Sequence, residues 1–213
     1  RLRTRWMNGI VYYLDRDLRP VHGHTIYIDS PWALTSISQA QFWGERDLKR
    51  YGDGRVEGIL SVDVSEWERP GQRTGKVAAK CSPEEIRSEV WGQLQDHLND
   101  GPTPVLADQN ALSWYLDPAI EFPNPSGATN AEPLLINTAG SWADRPEAAT
   151  RIPNLLLAAD YVRTNTDLAT MEGANEAARR AVNAILERSG SDAERCDVWR
   201  LREPELFAPA RAL

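Results

Sequence analysis

The stretch Ile152-Pro-Asn-Leu-Leu-Leu-Ala-Ala-Asp160-Tyr161, followed by Thr170-Met-Glu-Gly-Ala-Asn-Glu-Ala-Ala-Arg-Arg-Ala181, constrains this chain more than any other segment. The run from Asn154 to Ala159 is predicted as a strand, because an unbroken apolar run marks a strand covered on both faces in an α/β sheet. Asp160 then lies at its carboxyl edge, where open α/β sheets place ligands. A helix opening near Gly173 follows, with Ala174, Ala177, Ala178, Ala181, Val182, Ile185 and Leu186 on one stripe. Gly173 and Ala174 leave its first turn nearly bare of side chain. Unpaired amides there are expected to face a ligand's negative charge or carbonyl oxygen. From the residues alone, an ordinary strand, loop and helix with a small-residue packing face is an equal alternative.

The rest of the chain alternates sheet and helix signals. Strands are predicted over Gly9–Leu14, Thr25–Ile28, Val56–Val64, Leu112–Leu116 and Leu134–Asn137. In the third, Val56, Gly58, Leu60, Val62 and Val64 share one face. Ser82-Pro-Glu-Glu85 combines a capping box with proline at the first helical position, and Ile86, Val90, Trp91, Leu94 and Leu98 form the stripe of the helix it starts. Pro118, Pro123, Pro125 and Gly127 predict a loop at a substrate mouth. The expected class is α/β, in the mixed α+β sense.

The stretch from Ile152 to Leu186 resembles the C-terminal flavin signature of the FAD-dependent amine oxidase, phytoene desaturase and hydroxysqualene dehydroxylase-like family. That signature runs Pro-Asn-Leu-x-Leu-Ala-Gly-Asp, a spacer, then Met-Glu-Gly-Ala and a small-residue helix. A looser likeness covers Trp6-Met-Asn-Gly-Ile-Val-Tyr-Tyr-Leu14 and Asn137-Thr-Ala-Gly-Ser-Trp142. Ala159 departs from the pattern, standing where the family has glycine. The resemblance implies that Asp160 accepts a hydrogen bond from a ribityl hydroxyl of FAD, a carboxylate having only acceptor sites when ionised. It implies that Ala159, Tyr161, Met171, Glu172, Gly173 and Ala174 also line the cofactor. Fixed dipoles at the helix start would then stabilise reduced flavin. For Glu172 a first-turn charge that favours the helix dipole is an equal alternative.

The implied architecture is the C-terminal part of a two-domain flavin oxidoreductase. Residues 1–135 form most of a mixed-sheet substrate domain, residues 136–190 the closing strand and helix of the FAD domain, and residues 191–213 a surface or partner-docking tail. Hydride removal from an organic substrate is the implied chemistry. The resemblance of Trp6-Met-Asn-Gly-Ile and of residues 158–167 leans toward the desaturase and hydroxysqualene dehydroxylase branch, which implies an isoprenoid-like substrate. An amine or amino-acid oxidase subunit is the alternative, and a non-catalytic half that has lost flavin is another. Trp6, Tyr12 and Trp142 are candidate pocket walls; Tyr13, Trp32, Phe42, Trp43 and Trp114 belong to the same aromatic group. Each taken singly is better explained by core packing.

The G-x-G-x-x-G turn that holds the ADP half of such a cofactor is not in the sequence. Gly52 and Gly54 are followed by Glu57, and they precede a strand. With Arg1 as the first residue, this predicts a processed chain or fragment whose partner carries the dinucleotide-binding region, in a heteromer. No catalytic acid/base pair stands out, and no G-x-S-x-G elbow is present. His22 and His24 lack the companions of a metal shell, so no metal is expected. A net charge of −7 argues against a nucleic-acid partner. Cys81 and Cys196 are far apart, and no apolar stretch approaches about 18 residues. A cytoplasmic protein is expected, peripheral to a membrane if its substrate is an isoprenoid.

Overall fold

Alternating burial along the strands builds the larger part of the molecule. In the computed structural model, which describes residues 2–44, 46–124 and 127–201, nine strands and two long helices are found among the described residues. The strands are β1 (Arg3–Arg5), β2 (Asn8–Leu14), β3 (His24–Ile26), β4 (Leu34–Ser38), β5 (Gly58–Val64), β6 (Ala111–Leu116), β7 (Ile120–Asn124), β8 (Gly127–Asn130) and β9 (Leu134–Ile136); the helices are α1 (Pro83–Leu98) and α2 (Met171–Ser189). The described residues divide into one unit spanning Trp6–Pro133 and another made of residues 2–5 with 134–201.

In the Trp6–Pro133 unit the antiparallel sheet runs β3-β4-β5-β2-β6. Ile10, Tyr12 and Leu14 on β2, Leu34 on β4 and Leu60, Val62 and Val64 on β5 are buried, and they share a core with Ile86, Val90, Trp91 and Leu94 of α1. Period two on the strands and period 3.6 on the helix thus bring two apolar faces together. The helix starts as its residues dictate: Ser82 Oγ accepts from the Glu85 amide, and the Glu85 side chain accepts from the Ser82 amide.

Buried Glu89 ties α1 to the segment before it. Its carboxylate accepts from the amides of Gln72, Arg73 and Thr74 at 2.7, 2.9 and 2.7 Å and from Gln93 Nε2 at 2.8 Å. Burial pushes its pKa up, but these hydrogen bonds more than reverse the effect and leave it below the ordinary glutamate value. A Cβ on Gly71 would stand 2.5 Å from this carboxyl group, so only glycine fits there.

Two expectations change here. The proline- and glycine-containing stretch before Asn130 is a hairpin, β7 paired with β8 through Ile120↔Asn130 and Glu121↔Thr129; Pro125 lies outside the described residues. Tyr12 is core rather than pocket wall: it is fully buried, packs at a tilt against Trp91 with ring centroids 4.8 Å apart, and donates its hydroxyl to the Arg87 carbonyl at 2.7 Å. Burial is the main cause that drives its phenol pKa well above the ordinary value.

The second unit is sparser. β1 pairs with β9, and Ala148, Val162, Ala177 and Ala181 form its buried apolar cluster, with Leu156 and Leu157 packed against it. No helix among the described residues is long and apolar enough to cross a membrane.

Candidate functional site

The apolar run preceding Asp160 is not a strand. It makes a single antiparallel bridge, Ala149↔Leu156, supported by the Leu157 amide donating to the Ala148 carbonyl at 2.9 Å. Leu155 is exposed and Leu156 and Leu157 only half-buried. A strand buried on both faces needs a neighbour on each side, and the described part of this unit supplies only the β1·β9 pair. Asp160 therefore sits in a turn, closed by the Val162 amide donating to the Ala159 carbonyl at 3.1 Å and the Arg163 amide to the Pro146 carbonyl at 2.8 Å.

Arg145 fixes that turn. Fully buried, it donates from Nη1 to the Asp160 carbonyl at 2.9 Å and from Nη2 to Asn137 Oδ1, and its Nε stands 3.2 Å from the Asp167 carboxylate. Asn137 in turn donates to the Asp167 carbonyl at 2.5 Å, and Asp167 holds the unusual φ of 46°. The Asp160 carboxylate is half-buried and bonds to no other described residue, so its acceptor sites stay available. Ala159 is half-buried beside it and Tyr161 exposed.

The start of α2 differs from the expected row of unpaired amides. Thr170 caps the helix: its Oγ1 accepts from the Gly173 amide at 3.3 Å, and its carbonyl accepts from the Ala174 amide at 3.0 Å. A Cβ on Gly173 would lie 2.5 Å from the Leu168 carbonyl oxygen. The missing side chain makes room for the chain's own backbone. The stripe also runs differently, since Gly173, Glu176, Ala177 and Ala181 face inward while Val182 and Ile185 are exposed.

Glu176 mirrors Glu89. It accepts from the Asn165 amide at 2.7 Å, the Thr166 amide at 3.2 Å and Arg180 Nε at 2.9 Å. Burial raises its pKa, yet these partners outweigh that effect and hold it below the ordinary value. Met171, 84% exposed, and Glu172 line a space of about 480 Å³ together with Asn165, Asn175 and Trp199. Ala159, Asp160 and Tyr161 are not among its walls. Trp142, 47% exposed, donates its indole N–H to the Thr164 carbonyl at 3.0 Å and carries the Arg163 guanidinium over its ring; it faces a separate polar recess with Arg180 and Arg200.

A cavity of about 700 Å³ belongs to the Trp6–Pro133 unit. It uses the sheet face turned away from α1, where Tyr13 of β2 and Ile59 of β5 point, and is completed by Trp43, Tyr51, Val56 and Leu112. Neither Trp6 nor Tyr12 lines it; Trp6 packs against Trp67 with centroids 5.2 Å apart. Tyr51, Val56, Ile59 and Leu112 escaped the sequence-based selection, and the signal lay in the phase of the strands. Val11 and Tyr13 of β2 and Ile59 of β5 are apolar yet turn outward, so this part of the second face also seeks cover. His22 packs on Phe42, and no group of three or more His, Cys, Asp or Glu able to hold a metal occurs among the described residues.

Compared with known families, residues 11–186 match the family model for flavin containing amine oxidoreductase. No curated protein matches the chain.

Proposed function

From the premise that this chain belongs to the flavin containing amine oxidoreductase family, we propose that it forms part of an FAD-dependent oxidoreductase removing hydride from an apolar, isoprenoid-like substrate. The observation that supports flavin binding is Asp160: a carboxylate uncommitted to any described residue, in a turn held from behind by buried Arg145. Its oxygens suit the ribityl hydroxyls of FAD. Arg145 acts as a positioning residue, fixing the Asp160 carbonyl so that the carboxylate is presented without prior rearrangement.

These residues fit one end of the cofactor. No G-x-G-x-x-G segment occurs in the sequence, so on this reading the ADP end is held by a dinucleotide-binding region on another stretch of polypeptide, in cis or as a partner chain. Bound flavin supplies the electron sink. The chain's own contribution is to enclose the substrate in the cavity walled by Tyr13, Trp43, Tyr51, Val56, Ile59 and Leu112 and to exclude water there.

The test is spectroscopic. Combined with FAD and a polypeptide carrying the dinucleotide-binding region, the protein is expected to be yellow, to show bound FAD by native mass spectrometry, and to bleach anaerobically with substrate. Asp160→Ala is expected to lower FAD occupancy while leaving the far-ultraviolet circular dichroism unchanged. A colourless wild-type assembly would end this reading.

A further inference from the structure

The cavity on the open sheet face has an apolar wall and an uneven set of charges. About 700 Å³ falls within the size range of pockets that enclose small ligands. Its charged lining residues are Arg46, Asp53 and Arg55. Asp53 is already engaged: Arg55 reaches its Oδ2 from Nε at 2.7 Å and from Nη2 at 2.6 Å, and the Arg55 amide donates to its Oδ1 at 3.2 Å. Arg46 forms no ion pair or hydrogen bond with another described residue. The described lining therefore carries one uncompensated positive charge beside an aromatic and aliphatic interior.

We propose that this cavity takes an amphipathic organic acid, its apolar body against Tyr13, Trp43, Tyr51 and Ile59 and its anionic head at Arg46. The proposal rests on reading the cavity as the substrate site and adds the polarity of the substrate's head. A guanidinium fork matches a carboxylate or a phosphate equally. A cationic amine meets Arg46 and Arg55 with the nearby carboxylate already neutralised. The rings of Trp43 and Tyr51 in the wall pull the other way wherever a face is offered, since ring faces attract cations. The sign of the head-group preference therefore decides the matter.

Calorimetric titration of the whole chain at low salt with decanoate, decyl phosphate, decanol and decylamine, each below its micelle concentration, measures that sign. At least one of the two anions is expected to bind about threefold tighter than decanol, with decylamine weaker than decanol, as befits a solvent-exposed charge. Comparing decanoate with decyl phosphate separates the two head groups. Arg46→Gln is expected to bring the favoured anion down to the alcohol's affinity while leaving decanol unchanged, which also checks the fold. Added salt is expected to erode the anion preference in the wild type alone. Decylamine binding as tightly as decanol, an anion preference surviving Arg46→Gln, or no binding by any of the four would overturn the proposal. None of these titrations needs flavin, so a colourless assembly would leave this result standing, and the reverse also holds.

Discussion

The two units bury their interiors by different means. In the Trp6–Pro133 unit, a sheet face and a helix enclose large side chains such as Trp32, Tyr12, Trp91 and Leu94. In the other, the buried apolar cluster is Ala148, Val162, Ala177 and Ala181, and the centre is held by Arg145 and Glu176. Apolar burial scales with area, at roughly 25 cal/mol per Å², so the second unit draws little from it. It depends instead on a few polar nodes, each gathering nearby irregular backbone around one buried side chain. Such nodes are sensitive to loss of one partner, because the groups left behind stay buried without compensation. A unit of this kind sits at the low end of local stability.

Arg145→Leu tests this difference most severely. Removing one member of a buried ionic network costs about 3–5 kcal/mol, and hydrogen exchange is expected to show α2 losing protection while α1 keeps its own. Equal loss in both helices would mean that the units unfold together. Leu94→Ala is the counterpart, expected to cost about 3 kcal/mol by opening a cavity in the larger core, with α1 losing protection in hydrogen exchange.

Acid treatment sharpens the comparison further. The pKa values of Glu89 and Glu176 are lowered in the folded state. The stability each contributes is thus present above the unfolded glutamate value of about 4.3 and disappears as pH falls through the lower folded value. Glu176→Gln and Glu89→Gln are each expected to cost about 1–3 kcal/mol near neutral pH and to flatten acid unfolding of their own unit, followed by circular dichroism. Gly173→Ala is expected to cost about 1 kcal/mol net, the clash with the Leu168 carbonyl exceeding alanine's better helix propensity. At the small end, Val182→Ser on the exposed side of α2 is expected to shift stability by no more than about 0.5 kcal/mol. A larger loss in an assembled complex would show that this side is covered there.

What the sequence revealed followed the range of the interactions. The capping box at Ser82, the stripe of α1 and the inward phase of β2 and β5 are local patterns, and they were legible. The β7–β8 hairpin was not, since proline and glycine suggest a loop while its pairing depends on Ile120 meeting Asn130. The strand expected over residues 154–159 does not form, because hydrophobicity records a demand for cover but cannot supply the neighbouring strands. At the candidate site the turn at Asp160 stood out through its motif. Arg145 did not, because its partners Asn137, Asp160 and Asp167 stand at no regular spacing from it in irregular backbone. The cavity wall was half seen, with Tyr13 and Trp43 noted as aromatics and Ile59 hidden within a strand read for its other face.

The pairing of β1 with β9 brings Arg3 opposite Ile136 and so makes the whole Trp6–Pro133 unit an insertion. Closing so long a loop from a disordered chain is entropically slow, because non-local contacts form only after that cost is met. Once the inserted unit has folded, its own structure stands in for the loop. Kinetics should therefore be ordered, α1 and its sheet acquiring protection first and the β1–β9 ladder closing last.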